Sequence, residues 1–155
     1  MSKADLLAKF KPDKENLLLI LHELQNANQR NYITTEDITE VAKFLNVSYS
    51  SVYGVVTYYS MFSLKPRGKF IIRVCCSPVC EMADSENILL TLKKLLSVEI
   101  GDTTADGLFT LETSECLGQC AESPAMIIND RFFGNLNSDL LKAILDKYKA
   151  GKNDS

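Results

Sequence analysis

The stretch VCCSPVC, Val74 to Cys80, places three of the chain's five cysteines within seven residues, and the other two follow in CLGQC, Cys116 to Cys120. An odd number of clustered cysteines in a reducing compartment points to metal binding or redox chemistry, not to structural disulfides. Cys75 and Cys80 bracket four residues, Cys116 and Cys120 bracket three, and thirty-five lie between the pairs. Zinc ribbons carry two C-x-x-C knuckles, and a thioredoxin-style dithiol needs one; neither is present. Wider loops suit two adjacent irons, each chelated by one pair, with loop N–H groups turned to the sulfurs of a [2Fe-2S] centre. On spacing alone iron–sulfur leads, structural zinc comes second, and a set of unligated core or redox cysteines stands third. Cys75 and Cys76 follow a strand in which neighbouring side chains point to opposite faces, so only one of them can join a given iron. Cys76 could also pair with Cys80, across three residues.

Outward from the cysteines, the chain divides near Lys65-Pro66-Arg67-Gly68. Before the break the pattern is helical. Asp13 can cap a helix with Leu17, Leu18, Ile20, Leu21 and Leu24 inward, and Thr35 a second with Ile38, Val41, Ala42 and Leu45 on one face. Ser48 opens a third, from Tyr49 to about Phe62. After the break Phe70 to Val74 reads as a buried strand, and a helix starting at Asp84 or Ser85 turns Ile88, Leu89, Leu92, Leu95 and Leu96 inward. Phe109 to Leu111, Ala125 to Ile128 and Arg131 to Phe133 read as strands, the last two joined by the tight turn Asn129-Asp130. Ser138 caps a last helix, with Leu140, Leu141, Ile144, Leu145 and Tyr148 inward, and Gly151 stops it. The expected class is α/β: an N-terminal helical bundle over 1–66, a thioredoxin-like β-α-β-β-α domain over 67–150 and a polar tail over 151–155.

Composition narrows the function classes. The chain has 155 residues, 46 % hydrophobic and 24 % charged, with a formal charge of -3, which argues against a nucleic-acid partner. ITTEDITEVAKFLNVSYSSVYGVV, Ile33 to Val56, has the outline of a DNA-binding helix-turn-helix. Yet Ser48 to Phe62 contains no charged or amide side chain to reach bases or phosphates, so a helix-turn-helix DNA-binding protein is the least favoured alternative, behind a zinc-stabilised structural subunit. Burial of Tyr53, Tyr58, Tyr59 and Phe62 against another domain or subunit fits better. The start, MSKADLLAKFKPDKEN, lacks the apolar core of a secretory signal, and the longest apolar run, Leu17 to Leu21, is too short to cross a bilayer. A cytoplasmic protein without membrane insertion is expected. There is no G-x-G-x-x-G and no Walker-type loop for a nucleotide, and His22, the only histidine, reads as a surface or interface residue.

SSVYGVVTYYSMFSLKPRGK, VCCSPVC, CLGQCAESPAMIIND and RFFGNLNSDLLKAILDKY together resemble the thioredoxin-like [2Fe-2S] subunit family of NADH dehydrogenases, electron-bifurcating hydrogenases and NAD-dependent formate dehydrogenases. The resemblance implies one [2Fe-2S] cluster per chain on Cys75, Cys80, Cys116 and Cys120, leaving Cys76 as a small buried hydrophobe. It implies one-electron transfer with no catalysis by this chain alone. The implied partners are a larger flavin- and NAD-binding iron–sulfur subunit and a hydrogenase or dehydrogenase catalytic subunit. Between the first two ligands relatives carry Gly-Thr-Ala, and often His after the second; Pro78, which lacks an N–H, and Glu81 stand here and are expected to lower the reduction potential.

Overall fold

The computed structural model describes residues 3–151, so most of the tail expected over 151–155 lies outside the described residues. The chain forms two compact units, Met1–Arg67 and Gly68–Ser155.

The described part of the first unit is helical. A short helix α1 (Lys3–Leu7), not predicted, buries Leu6 and sends Lys3 Nζ to within 2.6 Å of the buried Asp37 carboxylate. Asp13 accepts from the Glu15 N–H at 3.0 Å and caps a 3-10 turn, Lys14–Asn16, which feeds α2 (Leu17–Ala27). Helix α3 (Thr35–Phe44) is capped by Thr34, one residue before the expected Thr35. Only Thr34 has Asp37 three residues ahead, so that side chain and backbone close a reciprocal capping box. Ser48 caps α4 (Tyr49–Tyr58) as expected.

Helix α4 ends four residues before the predicted Phe62. At Tyr59 the backbone turns extended, and Gln25 of α2 holds the residues beyond it: its Nε2 donates to the Met61 carbonyl at 2.9 Å and its Oε1 accepts from the Ser63 N–H at 2.9 Å. Phe62 is thereby turned into the unit's own core with Ile20, Leu21, Leu24, Ile38, Val41, Val52 and Val56. That corrects its assignment to a partner surface. Tyr49, Tyr53, Tyr58 and Tyr59 stay exposed, Tyr58 at 82 %. The His22 ring is half-buried, 4.9 Å from the ring of Phe62.

The second unit is a four-stranded sheet in the order β2-β1-β3-β4, formed by β1 (Phe70–Cys75), β2 (Phe109–Ser114), β3 (Met126–Ile128) and β4 (Arg131–Phe133). Strand β2 runs parallel to β1, while β3 is antiparallel to both β1 and β4. The parallel pair is joined through a short helix α5 (Pro78–Met82), absent from the sequence expectation, and α6 (Ser85–Leu96). Asn129 makes the β3–β4 turn in the left-handed region and accepts from the Ile71 N–H at 2.9 Å, tying the hairpin to β1. Helix α7 (Ser138–Lys149) is capped by Asn137, not Ser138, because the Asn137 side-chain oxygen Oδ1 accepts from the N–H groups of both Asp139 and Leu140.

Alternation along the strands divides the sheet. Phe70, Ile72 and Val74 join Phe109, Leu111, Met126 and Ile128 in one core with the apolar faces of α6 and α7. Ile71, Arg73 and Cys75 therefore lie on the other face, in register with Thr110, Glu112 and Ser114.

Two glycines give opposite expectations. A Cβ on Gly68 would meet the backbone of Leu108 and Phe109 at 2.8–2.9 Å, and the strand cannot retreat, whereas Gly54 is exposed on α4 with nothing within 4 Å. Gly68→Ala should destabilise by about 1–3 kcal/mol and Gly54→Ala should stabilise by about 1 kcal/mol, both read by urea unfolding.

Candidate metal centre

The two cysteine loops leave the C-terminal ends of the neighbouring parallel strands β1 and β2, and so arrive at the same end of the sheet. Cys75 is the last residue of β1 and is 1 % exposed; its N–H donates to the Ala125 carbonyl at 3.0 Å. The chain then turns through Cys76 and Ser77 into α5, where Pro78 takes the first-turn position that suits a residue without an N–H. Cys80, on α5, is 3 % exposed and packs with Cys75 and Ala125, flanked by Leu117 and Phe132.

The second loop lies open. Cys116 and Cys120 are both exposed, with their sulfurs 3.8 Å apart. Gly118 takes φ +79°, which lets its N–H turn back and donate to Cys116 Sγ at 3.4 Å. Cys120 begins a 3-10 turn, Cys120–Glu122, after which Ser123 joins the loops: its Oγ donates to the Cys120 carbonyl at 2.8 Å and lies 3.4 Å from Cys80 Sγ. The Ser123–Pro124 peptide is cis.

The thiols differ in proton affinity for traceable reasons. Burial pushes Cys75 up, but the Ser77 N–H, the Cys80 thiol, the Leu117 N–H and the Ser77 hydroxyl outweigh it and leave Cys75 below the usual thiol range. The Leu117 contact reaches Cys75 from the opposite loop. Cys120 is held up by its hydrogen bond with Cys116 and by the charge of that neighbour. Cys76 is raised by burial and then by the negative neighbours Cys75 and Glu81. Its Sγ lies 3.6 Å from the Val74 carbonyl oxygen, and it lines a cleft of about 430 Å³ with Glu81, Ser85, Glu86 and Leu89.

Cys75, Cys80, Cys116 and Cys120 are thus brought to one end of the sheet, while Cys76 borders a separate cleft. Among the described residues no three His, Cys, Asp or Glu side chains enclose a site for a single ion; the sulfurs stand as one pair in each loop. The donor set fits a [2Fe-2S] group. A tetrahedral metal with metal–sulfur bonds of about 2.3 Å sets its sulfurs about 3.8 Å apart, the Cys116–Cys120 separation. N–H groups of Ser77, Leu117 and Gly118 already address sulfur, the provision such centres use to stabilise thiolate charge. The sequence reading missed the hydroxyls of Ser77 and Ser123; their one legible signal was a position beside a cysteine or a loop end. It also missed that the N–H donors come from Ser77 and Leu117, so the proline at 78 removes neither.

Among the described residues no helix is long and apolar enough to cross a membrane. The chain is 34 % identical over 138 residues to the NADP-reducing hydrogenase subunit HndA of Solidesulfovibrio fructosivorans, covering 88 % of this chain and 80 % of that one. It is also 34 % identical over 145 residues to an NADH-quinone oxidoreductase subunit of Rickettsia felis, covering 93 % and 87 %. Its fold matches the crystal structure of an NAD+-reducing [NiFe]-hydrogenase in the air-oxidized state, with a TM-score of 0.75 at 20 % identity. That match takes in 88 % of this chain and 23 % of the longer one, so the present chain corresponds to under a quarter of it. Residues 4–149 match the thioredoxin-like [2Fe-2S] ferredoxins, and with two cysteine pairs gathered at the end of a mixed sheet the chain belongs to that family.

Proposed function

We propose that this chain is the one-electron carrier subunit of an NAD(P)H-linked flavoprotein oxidoreductase of the hydrogenase, formate dehydrogenase or NADH:quinone type. The observation that carries this reading is the pairing of cysteines on two loops thirty-five residues apart in sequence, one pair with its sulfurs at 3.8 Å. Cys75 and Cys80 hold one iron and Cys116 and Cys120 the other. When bound, the [2Fe-2S] group supplies reversible one-electron transfer. The protein's part is to hold the thiolates in fixed geometry, to donate N–H groups to sulfur from Ser77, Leu117 and Gly118, and to keep water from the inner pair with Ala125, Leu117 and Phe132.

Residues 67–150 carry the electron and residues 1–66 form a helical bundle that serves assembly. The partner is a larger flavin- and NAD-binding iron–sulfur subunit, where hydride chemistry belongs, within a cytoplasmic complex that includes a hydrogenase or dehydrogenase catalytic subunit. Support comes from the relatives, each of which is a subunit by name, and from the exposed tyrosines of α4.

Anaerobically purified protein should be red-brown and hold about two irons and two sulfides per chain. Colourless protein with stoichiometric zinc would overturn the proposal.

Cys76→Ala should keep a full cluster and a nearly unchanged visible spectrum, because its sulfur borders a different cleft. Cys75→Ala should lose the cluster or leave a labile one. Iron content falling in the first variant and surviving in the second would reverse the ligand assignment.

Exposure separates two aromatic substitutions. Tyr58→Ser, at 82 % exposure, should leave the melting temperature unchanged and weaken co-purification with the flavoprotein partner. Phe62→Ser, at 6 % exposure, should cost about 3–5 kcal/mol of stability. Unchanged co-purification of the Tyr58 variant would remove α4 from the interface.

A further inference from the structure

Strands β1 and β2 run in parallel register, and on the face turned away from α6 and α7 three cross-strand pairs succeed one another: Ile71 with Thr110, Arg73 with Glu112, and Cys75 with Ser114. Side chains directly opposite on one face of a sheet are within contact reach. The middle pair confirms it for this row, since Arg73 Nε donates to Glu112 Oε2 at 2.9 Å. The next step along the row sets Ser114 opposite Cys75, although its hydroxyl makes no hydrogen bond to that sulfur in this structure. Ser114 is also held by its main chain, whose carbonyl accepts from the Cys76 N–H at 3.0 Å.

The hydroxyl itself is an anomaly. Ser114 Oγ is buried and has no hydrogen-bond partner. Thr110, two pairs earlier in the same row, is fully served: its Oγ1 accepts from the Gly68 N–H at 2.6 Å and meets Thr103 Oγ1 at 2.8 Å. Buried hydroxyls in folded proteins are almost always paired. The two other hydroxyls at the site are engaged, Ser77 on Cys75 and Ser123 on the Cys120 carbonyl. Among the buried side-chain oxygens and nitrogens of the described residues, Ser114 Oγ is the one that brings an unspent donor to the end of the sheet where the cysteine loops meet.

We infer that the Ser114 hydroxyl is a positioning and tuning donor to the sulfur shell of the cluster site, and that it raises the reduction potential above the value the four cysteines would set alone. The inference rests on the ligand assignment proposed above. Its physical basis is that reduction adds negative charge that spreads onto sulfur. A donor fixed against sulfur in a buried setting therefore binds the reduced state more strongly than the oxidised one.

The test compares wild type, Ser114→Ala and Ser114→Thr as full-length, anaerobically reconstituted protein, by potentiometric titration followed by EPR. At a fixed ambient potential near the midpoint, Ser114→Ala should show a reduced-to-oxidised ratio about three- to tenfold lower than wild type, tenfold being 59 mV for a one-electron couple. Ser114→Thr, which keeps the hydroxyl, should stay within about twofold of wild type on the same scale. An unchanged ratio in Ser114→Ala with full iron content overturns the inference, as does a shift in Ser114→Thr equal to that in Ser114→Ala. Should Ser114→Ala retain no iron, Ser114→Gly takes its place. If neither holds iron, the apo-protein decides: unchanged melting with iron restored in Ser114→Thr supports the donor, and a collapsed apo fold overturns it. A wild-type protein without a [2Fe-2S] spectrum sinks the ligand assignment itself, whereas a full cluster whose potential ignores Ser114 sinks this inference alone.

Discussion

The parallel pairing of β1 with β2 is the constraint on which the rest depends. Thirty-five residues separate Cys80 from Cys116, and a chain of that length has no intrinsic reason to return the second loop to the first. Parallel neighbours do so by geometry, because both C-terminal ends fall on one edge of the sheet, where α/β folds place their ligand sites. The register brings Cys75 opposite Ser114, two residues before Cys116. Helices α6 and α7 hold that register by burying Ile72, Val74, Phe109 and Leu111 on the opposite face. A slip by one residue would exchange the core row with the row that carries Cys75.

The two cysteine pairs meet different physical demands. Cys75 and Cys80 are buried, and a thiolate there needs donors to offset lost hydration; the Ser77 and Leu117 N–H groups provide them. Cys116 and Cys120 are exposed and remain close to water, so their loop needs only the right curvature, which Gly118 supplies with its positive φ. Ser123 links the two pairs through its contacts with Cys80 and the Cys120 carbonyl.

Helices α3 and α4 show how a familiar outline can serve another end. Their spacing matches a helix-turn-helix, yet Val52 and Val56 of α4 share a core with Ile38 and Val41 of α3, while Tyr49, Tyr53 and Tyr58 of α4 stay exposed. Tyr49 and Tyr53 stack at 6.0 Å and Tyr58 meets Tyr59 edge-on at 5.2 Å. Such a surface offers flat, amphipathic contact area with little entropy to lose on association.

What could be read from the chain alone was whatever local physics controls. Apolar periodicity located α2, α3, α6 and α7, the cap Ser48 was legible because capping is decided within a few residues, whereas Asp13 caps the 3-10 turn ahead of α2 and not α2 itself, and Asn129-Asp130 announced the β3–β4 turn. Cysteine spacing limited the chemistry and, with family resemblance, the cofactor. Tertiary structure decided what depends on partners distant in sequence. Gln25 ended α4 early and turned Phe62 inward, thirty-seven residues beyond itself. Strand β2 ran on to Ser114, past the predicted Leu111, because β1 offered it a ladder along its whole length. Helix α5 formed in the first cysteine loop, too short for any periodicity to reveal it. Cys75 and Cys76 have nearly identical local sequence, and the pleat of β1, the turn that folds Ser77 back onto Cys75 and the approach of Leu117 set them apart, since burial and hydrogen bonding are fixed by the folded chain.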